Sequence, residues 1–286
     1  HAAAVKKYPF RGSTLVWGQS LGALALSQRS EQTWNPSYTW MLRLAPRYYV
    51  TDKLSLRLKV DLGVEWTNSD ETTYYQQALW DDVWLDTVYG PLQERRTKVQ
   101  VQPSLRLVLP ASKASQARSL YVGVGPGFVA KRSFKLPRRM ALEVSYGFRY
   151  TKNLNHYTTV QYEAPTIGTC ANAAGGGECG ELIHSGARNP SHAFTNVLGV
   201  DLELTRKLKF STSMVFINQL LYGVATAPVP LLGGGTVVVG EDLVNNVNHR
   251  AALWHQAELG YDVHPTVNVA LGLSTDHRAL AFGVAS

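Results

Sequence analysis

From Leu54 to Trp66 every second residue is apolar, and every residue between is polar, charged or glycine. Strand side chains alternate sides, so Leu54, Leu56, Leu58, Val60, Leu62, Val64 and Trp66 share one face. Ser55, Arg57, Lys59, Asp61 and Glu65 share the other. The same period of two recurs along most of the chain. Trp40, Leu42, Leu44 and Tyr48 stand opposite Met41, Arg43 and Arg47 in 38–50. Leu105, Leu107 and Leu109 stand opposite Ser104 and Arg106 in 99–109, where Pro103 predicts an irregular point because it cannot donate to a ladder. Leu120, Val122, Val124 and Phe128 alternate with Gly123, Gly125 and Gly127 in 120–131. Leu142, Val144, Tyr146 and Phe148 alternate with Glu143, Ser145 and Arg149 in 140–150. Further strands are expected over 14–26, 83–89, 194–204, 208–222, 251–263 and 267–274, and no segment carries a sustained helical period. The fold class read from this pattern is all-β, with 1–286 forming a single domain.

What separates the strands narrows the class. Tight turns at Thr51–Lys53, Thr205–Lys207 and His264–Thr266 contrast with long polar or Gly-rich segments at 67–82, 151–192 and 223–248. Transmembrane β-barrels combine short turns at one end with long loops at the other. Charges at mid-strand, on strands longer than the usual five or six residues, also suit a tilted bilayer crossing better than a soluble sandwich. The expectation is an antiparallel up-and-down barrel of twelve strands, even in number because lipid leaves no partner for an open edge. Residues 1–10 would be a periplasmic segment, and the long segments would be outer loops.

Composition leaves this reading standing. The formal charge of +7, from 28 basic and 21 acidic residues, is spread without a basic run, which argues against a nucleic-acid partner. No apolar run reaches the 18 to 20 residues or so of a spanning helix. The slightly negative mean hydropathy is compatible with a barrel, half of whose strand residues face water. The first residues lack the features of a secretory leader.

Candidate chemistry is thin. Cys170 and Cys179 close one Gly-rich loop and read as a disulfide made in an oxidising compartment. Two thiolates fall short of a zinc ligand set even with His184 and His192 nearby, so no metal and no cofactor are expected. His156, His184, His192, Ser185, Ser191 and the Asp276-His277 pair are the residues a hydrolase would draw on. They form no recognisable nucleophile–base pair in sequence, and an outer-membrane hydrolase is the minority reading. Tyr48, Tyr49, Trp66, Tyr89, Tyr150, Tyr222 and Tyr261 near strand ends suit interfacial girdles.

The polar rows are more informative. Arg43, Arg47, Arg57, Lys59, Arg106, Lys131, Arg149 and Lys209 are expected to line the lumen together with Asp61, Glu65, Glu143, Asp201, Glu203, Glu258 and Asp262. Either these pair across a narrow lumen and plug it, or they segregate into ladders that select solutes by charge. The apolar stretch within 223–248 reads as a constriction, a projecting hairpin or a partner contact.

With these strands, the Leu-Pro-Ala-Ser-Lys-Ala-Ser-Gln segment at 109–116 and Tyr-Gly-Phe-Arg-Tyr at 146–150, the chain resembles bacterial outer-membrane porin-like barrels. It is also similar, more distantly, to barrels of trans-envelope gliding-motility machinery. The resemblance implies a porin-like channel for small polar solutes in the outer membrane of a Gram-negative cell, or a scaffold contacting other envelope proteins through its outer loops. Phe282 to Ser286 departs from the pattern in lacking a terminal aromatic.

Overall fold

A computed structural model describes residues 8–21, 38–67, 76–137, 140–164, 181–223, 227–230, 236–239, 249–264 and 266–279. Strands dominate: β1 (Thr14–Leu21), β2 (Tyr38–Ala45), β3 (Arg47–Tyr49), β4 (Leu54–Glu65), β5 (Ala78–Trp80), β6 (Val83–Tyr89), β7 (Leu92–Gln93), β8 (Gln100–Leu109) and β9 (Leu120–Lys135) come first. They are followed by β10 (Ala141–Asn155), β11 (Thr159–Ala164), β12 (Glu181–Arg188), β13 (Pro190–Glu203), β14 (Leu208–Leu221), β15 (Ala227–Pro230), β16 (Thr236–Val239), β17 (His249–His264) and β18 (Val267–Ala279). The one helix described, α1 (Lys113–Ala117), is five residues long.

The main sheet is antiparallel and follows the order β1-β2-β4-β6-β8-β9-β10-β13-β14-β17-β18, with β3, β5 and β7 as short additions. Among the described residues β1 and β18 end this order and do not pair with each other. Short connections at 50–53, 136–140, 204–207 and 265–266 contrast with long ones at 22–37, 66–82, 156–189 and 222–248, while 90–99 and 110–119 are ten residues each.

Two short turns share one device. The Thr51 hydroxyl accepts from the backbone N–H of Lys53 and of Leu54, and the Thr205 hydroxyl accepts from Lys207 and Leu208 in the same way. A hydroxyl that satisfies two turn amides lets four residues reverse the chain without stranding backbone donors. In the 90–99 connection Glu94 plays that part, accepting from the amides of Arg96 and Thr97 and from the Thr97 hydroxyl. The Thr97 amide above all holds this carboxyl below the ordinary glutamate range.

Three expectations need correction. Residues 151–192 are not one loop: β10 continues to Asn155, β11 and β12 form a separate hairpin, and β13 begins at Pro190. Within 67–82, β5 pairs with β4. The 223–248 segment contains the hairpin β15–β16, with Val229 paired to Val237, in line with one of the three readings of that stretch. Between β8 and β9, α1 is capped by the Ser112 hydroxyl, which accepts from the Ser115 amide. Pro103 does not interrupt β8, since one missing donor is a small loss in a ten-residue strand. Cys170, Cys179 and residues 1–7 lie outside the described residues.

The chain divides into two compact units. One comprises His1–Val88, Arg106–Val124 and Leu154–Asn189, and the other comprises Tyr89–Leu105, Gly125–Asn153 and Pro190–Ser286. Burial in both runs against the habit of a soluble domain. Among the described residues the buried apolar side chains are Ala45, Ala193 and Pro190, whereas Ser55, Asp61, Glu65, Asp86, Asn189 and Ser191 are buried polar ones. The apolar rows are the open ones: Leu56 is 36% exposed, Leu198 55% and Leu271 82%. Folded proteins in water bury such residues and expose the charges.

Candidate functional site

Within each unit the register sets polar-row residues opposite one another. Arg43 stands opposite Asp61, and Arg47 opposite Arg57. Glu143 stands opposite Asp201, Glu203 opposite Lys209, and Glu258 opposite Ser211. Asp262 stands opposite Asn268, and its carboxylate accepts from the Asn268 amide.

In the first unit these side chains form a continuous network. Asp61 is 2% exposed and accepts from the Arg43 guanidinium through Nε at 3.0 Å and Nη2 at 2.7 Å. Its second cation is Lys59, two residues away on the same face of β4, with Nζ at 2.9 Å. Lys59 also lies 3.8 Å from the ring centroid of Trp84 on β6, and the Arg106 guanidinium from β8 lies 3.9 Å from the same centroid. An indole face between two cations is a favourable electrostatic arrangement, each contact being worth about 0.5–2 kcal/mol. Arg106 is held at its other side by Asp86 in a two-point contact of 2.7 and 2.8 Å. Bidentate geometry fixes the orientation of the guanidinium as well as its place. On the same face the Arg47 guanidinium donates to the buried Ser55 hydroxyl, and Glu65 accepts from the Thr67 hydroxyl. Burial pushes the carboxyl of Asp81, between β5 and β6, above its ordinary range, with Lys59 opposing.

The second unit carries the opposite balance. Lys131 reaches Glu143 at 3.2 Å and Lys209 reaches Asp262 at 3.0 Å. Asp201, Glu203, Glu258 and, in the first unit, Arg57 have no ion pair or side-chain hydrogen bond among the described residues. Glu143, Asp201, Glu203 and Lys209 share a recess of about 270 Å³. Arg149 stretches over the glycine row of β9, donating to the Gly125 carbonyl at 3.0 Å and to the Ser104 hydroxyl at 3.1 Å. A Cβ would stand 2.7 Å from the Tyr150 carbonyl oxygen at Gly125 and 2.6 Å from the Phe148 carbonyl oxygen at Gly127, so these two glycines are required by the close approach of β10.

The ion pairs therefore lie within one strand or between neighbouring strands of the sheet. Both outcomes expected for these charges supposed contact or contrast across a lumen, and the lateral pairing was not anticipated. Trp84 and Asp86 were also missed. Their strand is short, and a tryptophan on the polar face breaks the alternation that marks the other strands.

The hydrolase candidates are not brought together. Ser191 donates to the Leu220 carbonyl. His192 contacts the Tyr150 hydroxyl and Lys152, while His156 packs edge-on against Tyr157. The side chains of His184, Ser185, Asp276 and His277 lie outside the described residues. Neither a known protein-family model nor a curated protein matches this sequence.

Proposed function

We propose that this chain is a bacterial outer-membrane β-barrel, porin-like, whose charge-lined interior passes small polar solutes. The observation that carries the reading is the inverted burial: carboxylates such as Asp61, Glu65 and Asp86 are enclosed while rows of leucine, valine and aromatic residues are open. Lipid is the solvent in which that distribution is stable. The contrast of short and long connections supports it, as does the length of strands such as β9, β10, β13 and β14. The main sheet has eleven positions in its order. An all-antiparallel barrel closes on an even number, so a barrel of twelve needs one strand beyond those eleven.

In this reading the ion pairs join neighbouring strands rather than bridging the interior, which favours passage over plugging. Asp201, Glu203 and Glu258, without cationic partners among the described residues, favour cations. Purified protein in a planar bilayer should give stepwise current with a cation-selective reversal potential, and Asp201→Asn with Glu203→Gln should move that potential toward anions. Protein that inserts without stepwise current contradicts the channel. It would leave the second reading, a structural barrel of an envelope complex, which is favoured by the separate hairpins β11–β12 and β15–β16 as contact surfaces.

A further inference from the structure

On β10 and β13 the apolar face ends in a change of chemistry. The row on β10 runs Leu142, Val144, Tyr146, Phe148, Tyr150 and then Lys152. At paired positions the row on β13 runs to Phe194 and then His192. The Lys152 ammonium lies 3.3 Å from His192 Nε2, and the Tyr150 hydroxyl lies 2.7 Å from His192 Nδ1. Tyr150 and His192 stack with centroids 5.8 Å apart, and the Tyr222 ring lies 5.4 Å from the Lys152 ammonium. An ammonium can only donate, so Nε2 is the acceptor and the neutral imidazole carries its proton on Nδ1, donating to Tyr150. The Tyr150 hydroxyl hydrogen and two N–H groups of Lys152 then remain to be used, and no carboxylate pairs with Lys152 among the described residues.

We propose that Lys152, Tyr150 and His192 form a site for the phosphate of a lipid headgroup on the outer surface of the protein. The inference rests on the membrane reading above. Ten residues separate Leu142 from Lys152, about 34 Å along a strand at 3.4 Å per residue, or about 26 Å along the membrane normal at a tilt near 40°. The apolar band of such barrels is about 25 Å tall. If Leu142 meets one edge of that band, Lys152 meets the other, at the level of the headgroups. Tyr150 and Tyr222 there supply the amphipathic rings that suit an interface, and the free donors supply charge-assisted hydrogen bonds to phosphate oxygens.

The test uses the full chain in neutral-detergent micelles doped with phosphatidic acid or with diacylglycerol of the same acyl chains, and native mass spectrometry to read retained lipid. Phosphatidic acid should be retained in preference. Lys152→Ala should weaken it about tenfold, the loss of one hydrogen bond to a charged group. Tyr150→Phe, which keeps the packing, should weaken it less. Lys207→Ala, near Tyr261 at a short turn, should leave it unchanged. Equal retention of the two lipids, or full retention by Lys152→Ala, overturns the site. So does inorganic phosphate that displaces the phospholipid at equal concentration, which would mark an ion site without a lipid. A protein that stays dispersed without detergent contradicts the membrane reading itself, whereas one that enters micelles without lipid preference contradicts only this site.

Discussion

Asp61→Ala lowers the stability of the folded protein by about 3 kcal/mol, measured as a shift in the denaturant midpoint, and is the most damaging polar-face substitution expected. The carboxylate is almost fully enclosed and serves both Arg43 and Lys59. Removing it leaves two cations facing each other in a site that no longer neutralises either one. Breaking a buried pair by deleting one partner costs about 3–5 kcal/mol, and the lower end applies because the Arg43 side chain is 36% exposed. Asp61→Asn keeps the shape and one acceptor oxygen but loses the charge, so it should recover only part of the loss. Replacing Lys59 by Met in the Asp61→Ala background should recover more, because it removes one of the two stranded cations and its repulsion from Arg43. If Asp61→Ala unfolds at the wild-type midpoint, the network is solvated and contributes little.

Gly127→Val should be as severe by a different route. Its Cβ would fall 2.6 Å from the Phe148 carbonyl and 3.2 Å from the Arg149 Cα. Both are backbone atoms, so no rotamer change relieves the contact and β9 must separate from β10. Overpacking of this kind costs about 1–3 kcal/mol and sometimes more; the backbone collision places this case at the upper end or beyond. The Arg149 guanidinium, held by the Gly125 carbonyl and Ser104, would be displaced with β10. Gly147→Ala is the control, since the nearest atom to a Cβ there is 3.5 Å away on the Val197 side chain. Near-native stability for Gly127→Val would mean the strands are not held as close as the structure has them.

Much of the sheet was legible because it depends on a period of two, and a period survives without knowledge of partners. Val83–Tyr89 was expected and found with the same ends, and β4 ends one residue before its expected limit. The expected strands 140–150 and 194–204 were too short because Lys152 and His192 carry basic groups onto the apolar face, where the alternation stops while the ladder continues. The β11–β12 hairpin was hidden for a related reason: its two strands flank a Gly-rich stretch that dominates any reading of local composition. A helix as short as α1 has too few residues to display a period at all. At the polar face the residue types were readable, and their pairing was not. Arg106 with Asp86, or Lys59 and Arg106 on Trp84, depends on which strands become neighbours and in what register, and no local pattern encodes that.

The most direct measurement of the central proposal, that the apolar rows meet lipid, is spin-label accessibility along Leu54 to Glu65 in liposomes, on a background lacking Cys170 and Cys179. Oxygen, which concentrates among acyl chains, should relax labels at Leu56, Leu58, Val60 and Leu62 most strongly, out of phase with labels at Arg57, Lys59 and Gly63. A water-soluble nickel chelate should show the reverse phase at Arg57. A period of two with the nickel reagent strongest on the leucine and valine positions, or no period at all, contradicts the proposal.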